Sequence, residues 1–156
     1  MSKKSLKTKI NFSKLIQQYF TSEKHPYELV NWKKFKITLP GYENWPEVEF
    51  PDFYSQNAVN IVATKYFKIN KGKQETSLKE LIDRVVKTFK KWGLEQGYFD
   101  ENEAEIFEKE LTYILLNQYA SFNSPVWFNF GVEGRSQQGA ACFILDVEDS
   151  MESILD

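Results

Sequence analysis

The sequence has few of the residues on which disulfides and zinc sites depend, since it contains one cysteine and one histidine. A disulfide requires a second cysteine, and a structural zinc site requires about four cysteine or histidine ligands. Neither can therefore form within this chain. Long apolar runs are missing too, because no stretch approaches the roughly eighteen apolar residues that span a bilayer.

An excess of charge of one sign is also absent, because the formal net charge is −2 at pH 7. Such a balance gives no overall field that would attract nucleic acid or an anionic membrane surface. The lysine-rich first fourteen residues lack a following apolar core of the kind that a signal peptide has. We therefore expect a cytoplasmic protein that binds neither a membrane nor nucleic acid.

Aromatic residues, in contrast, are abundant and account for 16% of the chain. Their side chains can bury more apolar area than a minimal scaffold needs, which favours a large interface. The hydrophobic and charged fractions, 42% and 27%, lie near globular averages. A chain of 156 residues with this composition is expected to fold, with one domain as the starting assumption.

The N-terminal half combines a polar start with short elements. Residues 1–10 form a basic lead-in without an assigned role, and the helical spacing of apolar residues predicts a short helix over 11–20. Residues 27–53 alternate in polarity and carry prolines, which predicts extended or looping chain. A helix is predicted over 57–67, followed by a turn at 71–73.

Two helices with clear boundary signals follow. Ser77 is predicted to cap the first helix in a capping box with Glu80, and Gly93 is predicted to end it. The second helix is predicted to begin at Asp100 and to continue to about Tyr119. Each has an apolar face, so the two helices are expected to pack together.

The helical period disappears after residue 120. Pro125 and Gly131 break regular structure there, so a loop is predicted. The apolar run 140–145 has the length of a strand and contains Cys142. Residues 149–156 predict the start of a helix, capped at its first or second residue.

Cys142 admits two interpretations. In an apolar strand, a single cysteine is typically a small buried hydrophobe. As a redox thiol, it would need access to substrate and a second cysteine with which to form a disulfide. Because this chain has no second cysteine, a redox role requires a thiol from another polypeptide or from sequence beyond Asp156.

Two segments near the C-terminus resemble a known family. SFNSPVWFNFG at 121–131 and QQGAACFILDVEDSMESIL at 137–155 resemble the opening catalytic segments of ribonucleotide reductase large chains. The upstream segments that resemble the adenosylcobalamin-dependent, class II branch lie at 53–67, 77–93 and 97–99. The likeness covers roughly residues 27–156.

The resemblance implies an α+β fold in three parts. Residues 1–26 would be a basic lead-in and short helix, and 27–120 a mostly helical N-terminal region. Residues 121–156 would hold the first segments of the catalytic ten-stranded α/β barrel of the family. This chain would therefore contain an incomplete barrel.

The resemblance also implies roles for individual residues. Cys142 matches the family's first redox cysteine, one of two thiols that reduce the ribose 2' carbon and finish as a disulfide. The implied contact residues are Ser124, Ala141 and Cys142 for the substrate nucleotide, and Asp149, Ser150 and Met151 for a regulatory deoxynucleotide. No metal ligand is implied within the chain.

The implied cofactor is adenosylcobalamin, bound mainly by segments absent from this chain. The implied partners are a ribonucleotide, a deoxynucleotide effector, the remainder of the reductase and a dithiol reductant such as thioredoxin. Because the radical-bearing loop and the second redox cysteine are missing, the chain is expected to be an N-terminal fragment that is inactive alone. Its origin could be a truncated gene, a split gene or a precursor joined by protein splicing.

Two alternatives stay open at the level of sequence. The chain could be the equivalent part of an iron-dependent class I large chain, which dependence on cobalamin would distinguish. It could also be a non-enzymatic interaction module, whose aromatic-rich surface binds a partner or a second copy.

Overall fold

The computed structural model describes residues 16–70, 72–143 and 149–152. After a short 3-10 helix at Pro26–Glu28, the elements are β1 (Trp32–Phe35), β2 (Val48–Pro51), α1 (Gln56–Lys65), β3 (Ile69–Asn70), β4 (Lys73–Gln74), α2 (Leu78–Gln96), α3 (Glu101–Leu116) and α4 (Ser124–Asn129). The strands form two small antiparallel sheets, β1 with β2 and β3 with β4. The mixture of helices and small sheets confirms the α+β prediction at this level.

None of the helices in the described ranges is long and apolar enough to span a bilayer.

The extended chain predicted for 27–53 contains the paired strands β1 and β2. Val48 and Phe50 of β2 are fully buried, as alternate residues of a strand that faces the core. Between them, the Glu49 carboxylate accepts a hydrogen bond from the Ser77 hydroxyl at 2.8 Å. This bond ties the sheet to the start of α2.

The helix α2 lies at the centre of the core. It contacts α3, β2 and α4, which confirms the predicted packing of the two long helices. Its buried apolar residues are Leu78, Leu81, Ile82, Val85 and Val86. The capping boxes predicted at Ser77 and Asp100 are both present.

The predicted end of α2 at Gly93 is wrong. The helix continues to Gln96 and is capped by Gly97, whose φ of +68° is a left-handed geometry that glycine adopts at little cost. Gly93 has a different role, because a Cβ there would lie 2.0 Å from Cζ of Phe99. The missing side chain lets the Phe99 ring pack directly on the helix.

The helix predicted over 11–20 is also corrected. Residues 16–20 are not helical, and 11–15 lie outside the described residues. The carboxylate of Glu110 on α3 accepts hydrogen bonds from the amides of Phe20 and Thr21 and from the Thr21 hydroxyl. Because a distant side chain holds these amides, they are not used in helical bonds.

The other predicted elements before residue 120 are confirmed with small shifts of their ends. The helix predicted over 57–67 is α1, and the second long helix, α3, ends at Leu116 rather than near Tyr119. Gly72, with a φ of +74°, lies in the predicted turn between β3 and β4. Residue 71 of that turn lies outside the described residues.

Candidate functional site

Residues 124–129, where the sequence predicts a loop, form the helix α4. Pro125 lies in the first turn, where its missing amide hydrogen costs no helical bond. Ser124, the implied substrate contact, is the first residue of this helix. The loop prediction is wrong because a proline marks both chain breaks and helix starts, and the packing around α4 favours the second.

Arg84 of α2 anchors the C-terminal end of α4. Its Nη1 donates to the carbonyl of Phe130 at 2.7 Å, and its Nη2 donates to that of Trp127 at 3.1 Å. Its Nε donates to the carboxylate of Glu75 at 2.6 Å, and both side chains of this ion pair are buried. Charge-assisted bonds to a carboxylate and to helix-end carbonyls satisfy the guanidinium. They give α4 a defined position against α2.

Side-chain amides bind the segment 137–139, which we call the clasp, to α4. The Nδ2 of Asn123 donates to the carbonyl of Gly139 at 2.9 Å, and that of Asn129 donates to the carbonyl of Gln138 at 2.8 Å. In return, the Nε2 of Gln137 donates to the carbonyl of Asn129 at 3.1 Å. The clasp is therefore bonded to residues at both ends of α4.

The clasp brings the Cys142 segment towards the helix that carries Ser124. At Gly139 the backbone approaches α4 so closely that a Cβ would lie 2.8 Å from Cζ of Phe130. Ala141 and Cys142 follow and are both exposed. Since consecutive Cα atoms are about 3.8 Å apart, the Cα of Cys142 lies within roughly 11 Å of the Cα of Gly139.

The strand predicted over 140–145 is absent from residues 140–143, and 144–145 lie outside the described residues. An apolar run forms a strand only beside a partner strand, and no strand among the described residues pairs with this run. The interpretation of Cys142 as a buried hydrophobe is wrong, because the thiol is exposed. Because it is exposed, the thiol is accessible to a substrate, as a redox thiol must be.

The hydroxyls of Ser124 and Tyr66 are hydrogen-bonded at 3.0 Å. Tyr66 also borders a mostly apolar cavity of about 420 Å³ among α1, α2 and the chain before α4. On another wall, the Tyr54 hydroxyl donates to the carbonyl of Leu116 at 3.2 Å. Burial raises the pKa of Tyr54 to about 12, so this hydroxyl stays protonated at neutral pH.

The implied effector residues Asp149, Ser150 and Met151 are exposed. The helix predicted from residue 149 is present at 151–152, and 153–156 lie outside the described residues. Residues 144–148, which connect this group to Cys142, also lie outside them. The role of these three residues stays a prediction.

Three residues that shape the site were not predicted from the sequence: Tyr66, Arg84 and Asn123. Arg84 follows Leu81 by three residues, which places it on the apolar side of α2, and this position was a usable signal of burial. Tyr66 is the C-terminal cap of α1 and lies within the helix predicted over 57–67, where a tyrosine brings a polar tip as well as a ring. For Asn123 the sequence offers no signal beyond its place before a proline-containing turn.

Comparisons with known proteins identify the family. A family model described as class II vitamin B12-dependent ribonucleotide reductase matches residues 43–118. Proteins named vitamin B12-dependent ribonucleotide reductase are similar to this chain, among them that of Streptomyces clavuligerus, which is 53% identical over 85% of this chain and 15% of the relative. That of Streptomyces coelicolor is 52% identical over 85% of this chain and 14% of the relative.

A more distant relative of the same name, from Rhodopirellula baltica, is 40% identical over 70% of this chain and 14% of its own length. The chain thus spans about 15% of the length of the most similar of these relatives. The names of the relatives favour the class II branch over the class I alternative. The chain therefore belongs to the family of class II, vitamin B12-dependent ribonucleotide reductases, of which it represents a part.

Proposed function

We propose that this chain is the N-terminal part of a reductase that converts ribonucleotides to deoxyribonucleotides, with Cys142 as one of its two redox thiols. The observation that carries the proposal is the exposed Cys142 on a segment that the clasp holds to α4. An exposed thiol beside a fixed helix can meet a substrate without a rearrangement of the core. Ser124 and Ala141 would contact the same nucleotide.

The proposed chemistry uses the thiol of Cys142 as a proton donor and as a source of reducing electrons. A radical on the ribose weakens the bond between the 2' carbon and its oxygen, and a proton from the thiol lets water leave. The reduction takes two electrons from Cys142 and a second thiol, which finish as a disulfide. A dithiol such as thioredoxin then reduces this disulfide. The second thiol would come from the rest of the reductase.

Residues 121–156 would begin the catalytic barrel of the complete enzyme. Asp149, Ser150 and Met151 would meet a regulatory deoxynucleotide, and their exposure leaves them accessible to one. A cytoplasmic location follows from the proposed role in deoxynucleotide supply.

The cofactor named in the family does not fit the residues described here. The described residues line two concavities of about 420 and 470 Å³, the size range of drug-sized ligands, and a corrin with its nucleotide arms is much larger. Histidine is the commonest metal ligand among side chains, and His25 is the single histidine of the chain. Its Nδ1 already accepts a hydrogen bond from the amide of Tyr27, and its ring packs against the Tyr27 ring. We therefore assign adenosylcobalamin to other parts of the reductase and derive no step through it.

Reconstitution tests the proposal. This chain is combined with the remainder of the reductase, a ribonucleotide, adenosylcobalamin and a dithiol, and deoxyribonucleotide is quantified. We expect Cys142→Ser to reduce turnover by at least about a thousandfold while nucleotide binding changes little, because the thiol and not the binding surface is lost. Ser136→Ala, at an exposed position just before the clasp, is the control and should keep full activity.

Two results would contradict the proposal. Turnover of Cys142→Ser at the rate of the unmodified chain would remove Cys142 from the redox pair. Activity that persists without adenosylcobalamin would contradict the proposed dependence of the complete reductase on that cofactor.

A further inference from the structure

Tyr66 contacts one face of α4 at two points a helical turn apart. Its ring stacks on Phe128, with the centroids 5.2 Å apart and the planes 17° apart. Its hydroxyl reaches the hydroxyl of Ser124 at 3.0 Å. Residues four apart lie on the same face of a helix, so the long axis of the tyrosine side chain follows this face.

The hydroxyl contact restricts the side chain of Ser124. A serine hydroxyl has one donor and two acceptor positions, and a free one rotates among staggered rotamers. With Tyr66 as the donor, Ser124 keeps its own proton for another acceptor. With Ser124 as the donor, both of its acceptor positions remain. In either case the bond holds the Oγ in one place and leaves it able to bind a second group.

The backbones that carry the two hydroxyls are also held relative to each other. Arg84 donates to the carbonyl of Tyr66 at 3.4 Å as well as to those of Trp127 and Phe130. One buried guanidinium therefore joins the end of α1 to the end of α4. This shared anchor keeps the Tyr66 hydroxyl within reach of Ser124.

We propose that Tyr66 is a positioning residue that orients the Ser124 hydroxyl for the ribonucleotide, which rests on the proposed function of Ser124 as a substrate contact. Tyr66 would act through Ser124 and would not itself touch the substrate. Loss of its hydroxyl should weaken substrate binding in the ground state and the transition state alike. It should therefore raise KM and leave kcat nearly unchanged.

The test is a double-mutant cycle of Tyr66→Phe and Ser124→Ala in the complete reductase. The phenylalanine keeps the stacking on Phe128 and removes only the hydroxyl. We expect Tyr66→Phe to raise KM by about 3- to 10-fold, as the loss of one neutral hydrogen bond does, with kcat within about twofold. In the Ser124→Ala background, the same substitution should raise KM by less than about 1.5-fold, because the group it acts through is gone.

Nucleotide binding without turnover gives an independent reading. The dissociation constants of cytidine diphosphate and cytidine triphosphate are measured for each variant, and the nucleotide that the reductase accepts should follow the KM pattern. Tyr42→Phe is the matched control, since the Tyr42 ring packs on Trp45 and is half-buried like that of Tyr66. It should leave both KM and the dissociation constant unchanged.

The outcomes separate this inference from the proposed function. If Ser124→Ala changes neither KM nor binding, Ser124 is not a substrate contact and the proposed site fails. If Ser124→Ala weakens binding but Tyr66→Phe does not, the site stands and the positioning role of Tyr66 is overturned. Equal effects of Tyr66→Phe with and without Ser124 would also overturn it, because they would show a general structural role.

Discussion

Arg84 and Glu75 form a buried ion pair that joins the β3–β4 hairpin to α2 and, through the guanidinium, to α4. The Nε of Arg84 lies 2.6 Å from Oε1 of Glu75, and the two side chains are 4% and 7% exposed. These exposures are low enough for the loss of one partner to leave an uncompensated buried charge. The pair therefore links the stability of the core to the position of the candidate site.

We predict that Arg84→Met lowers the free energy of unfolding by about 3–5 kcal/mol, because it leaves the Glu75 carboxylate buried without its ion-pair partner. The double variant Arg84→Met, Glu75→Leu should be more stable than the single variant, since neither charge is then buried. Urea unfolding, monitored by circular dichroism, measures the free energy of unfolding of the single and the double variant. Lys91→Met removes an exposed pair with Glu95 and should cost less than about 1 kcal/mol. Equal costs for Arg84→Met and Lys91→Met would contradict the prediction.

Gly93→Ala is predicted to lower the free energy of unfolding by about 1–3 kcal/mol, because the new methyl group enters the Phe99 ring. Gly97→Ala serves as the comparison and should cost about 1–2 kcal/mol through backbone strain alone. Phe99→Leu should relieve part of the cost of Gly93→Ala and none of that of Gly97→Ala. Thermal unfolding of the three single and two double variants measures this coupling, and additive costs at Gly93 and Phe99 would refute the steric explanation.

The exposed thiol of Cys142 is predicted to react with iodoacetamide in the folded protein at a rate within about threefold of that in denaturant. Mass spectrometry of quenched samples gives both rates. Cys142→Ser should change the free energy of unfolding by no more than about 0.5 kcal/mol, as expected for an exposed position. Protection of the folded thiol by about a hundredfold would show that it is covered.

The carboxylate of Glu110 should make stability depend on pH. Burial opposes its ionisation, but the bonds from the Thr21 hydroxyl and the amides of Phe20 and Thr21 prevail and lower its pKa below the ordinary 4.5. The contribution of Glu110 to the free energy of unfolding is then fully present above pH 4.5, and it is lost as the pH falls through the lowered pKa of the folded state. Urea midpoints measured from neutral pH down to about pH 3 follow this loss.

Glu110→Gln should flatten this part of the pH profile and lower stability at pH 7 by about 1–3 kcal/mol, because the amide accepts fewer of the bonds. Glu47→Gln, at an exposed position, is the matched control and should leave the profile unchanged. An unchanged profile in Glu110→Gln would mean that other carboxylates carry the dependence on pH.

Local signals accounted for much of the fold. The capping boxes at Ser77 and Asp100 were predictable because a side chain and an amide three residues away satisfy each other without help from the rest of the chain. Gly93 shows the limit of this reasoning. In the sequence, a glycine that caps a helix looks the same as a glycine that makes room for a neighbouring side chain. Only the position of Phe99 in the structure shows that Gly93 has the second role.

The sequence indicated which residues belong to the candidate site but not which side chains hold them in place. The resemblance singled out Ser124, Ala141 and Cys142, and their substrate contacts remain a prediction. Arg84 and Tyr66 were not identified, because a charged residue in a helix is usually solvated and a tyrosine on an apolar face usually belongs to the core.

The sequence by itself determined the family, the long helices and their N-terminal caps, because these depend on residue identity and on contacts within a few residues. Tertiary structure decided that Pro125 starts a helix, that Arg84 is buried and that the described part of the Cys142 segment forms no strand. The physical reason is that each of these outcomes depends on a partner distant in sequence. Arg84 is buried because the Glu75 carboxylate and the helix-end carbonyls of α4 lie beside it. The described part of the Cys142 segment forms no strand because no strand among the described residues pairs with it.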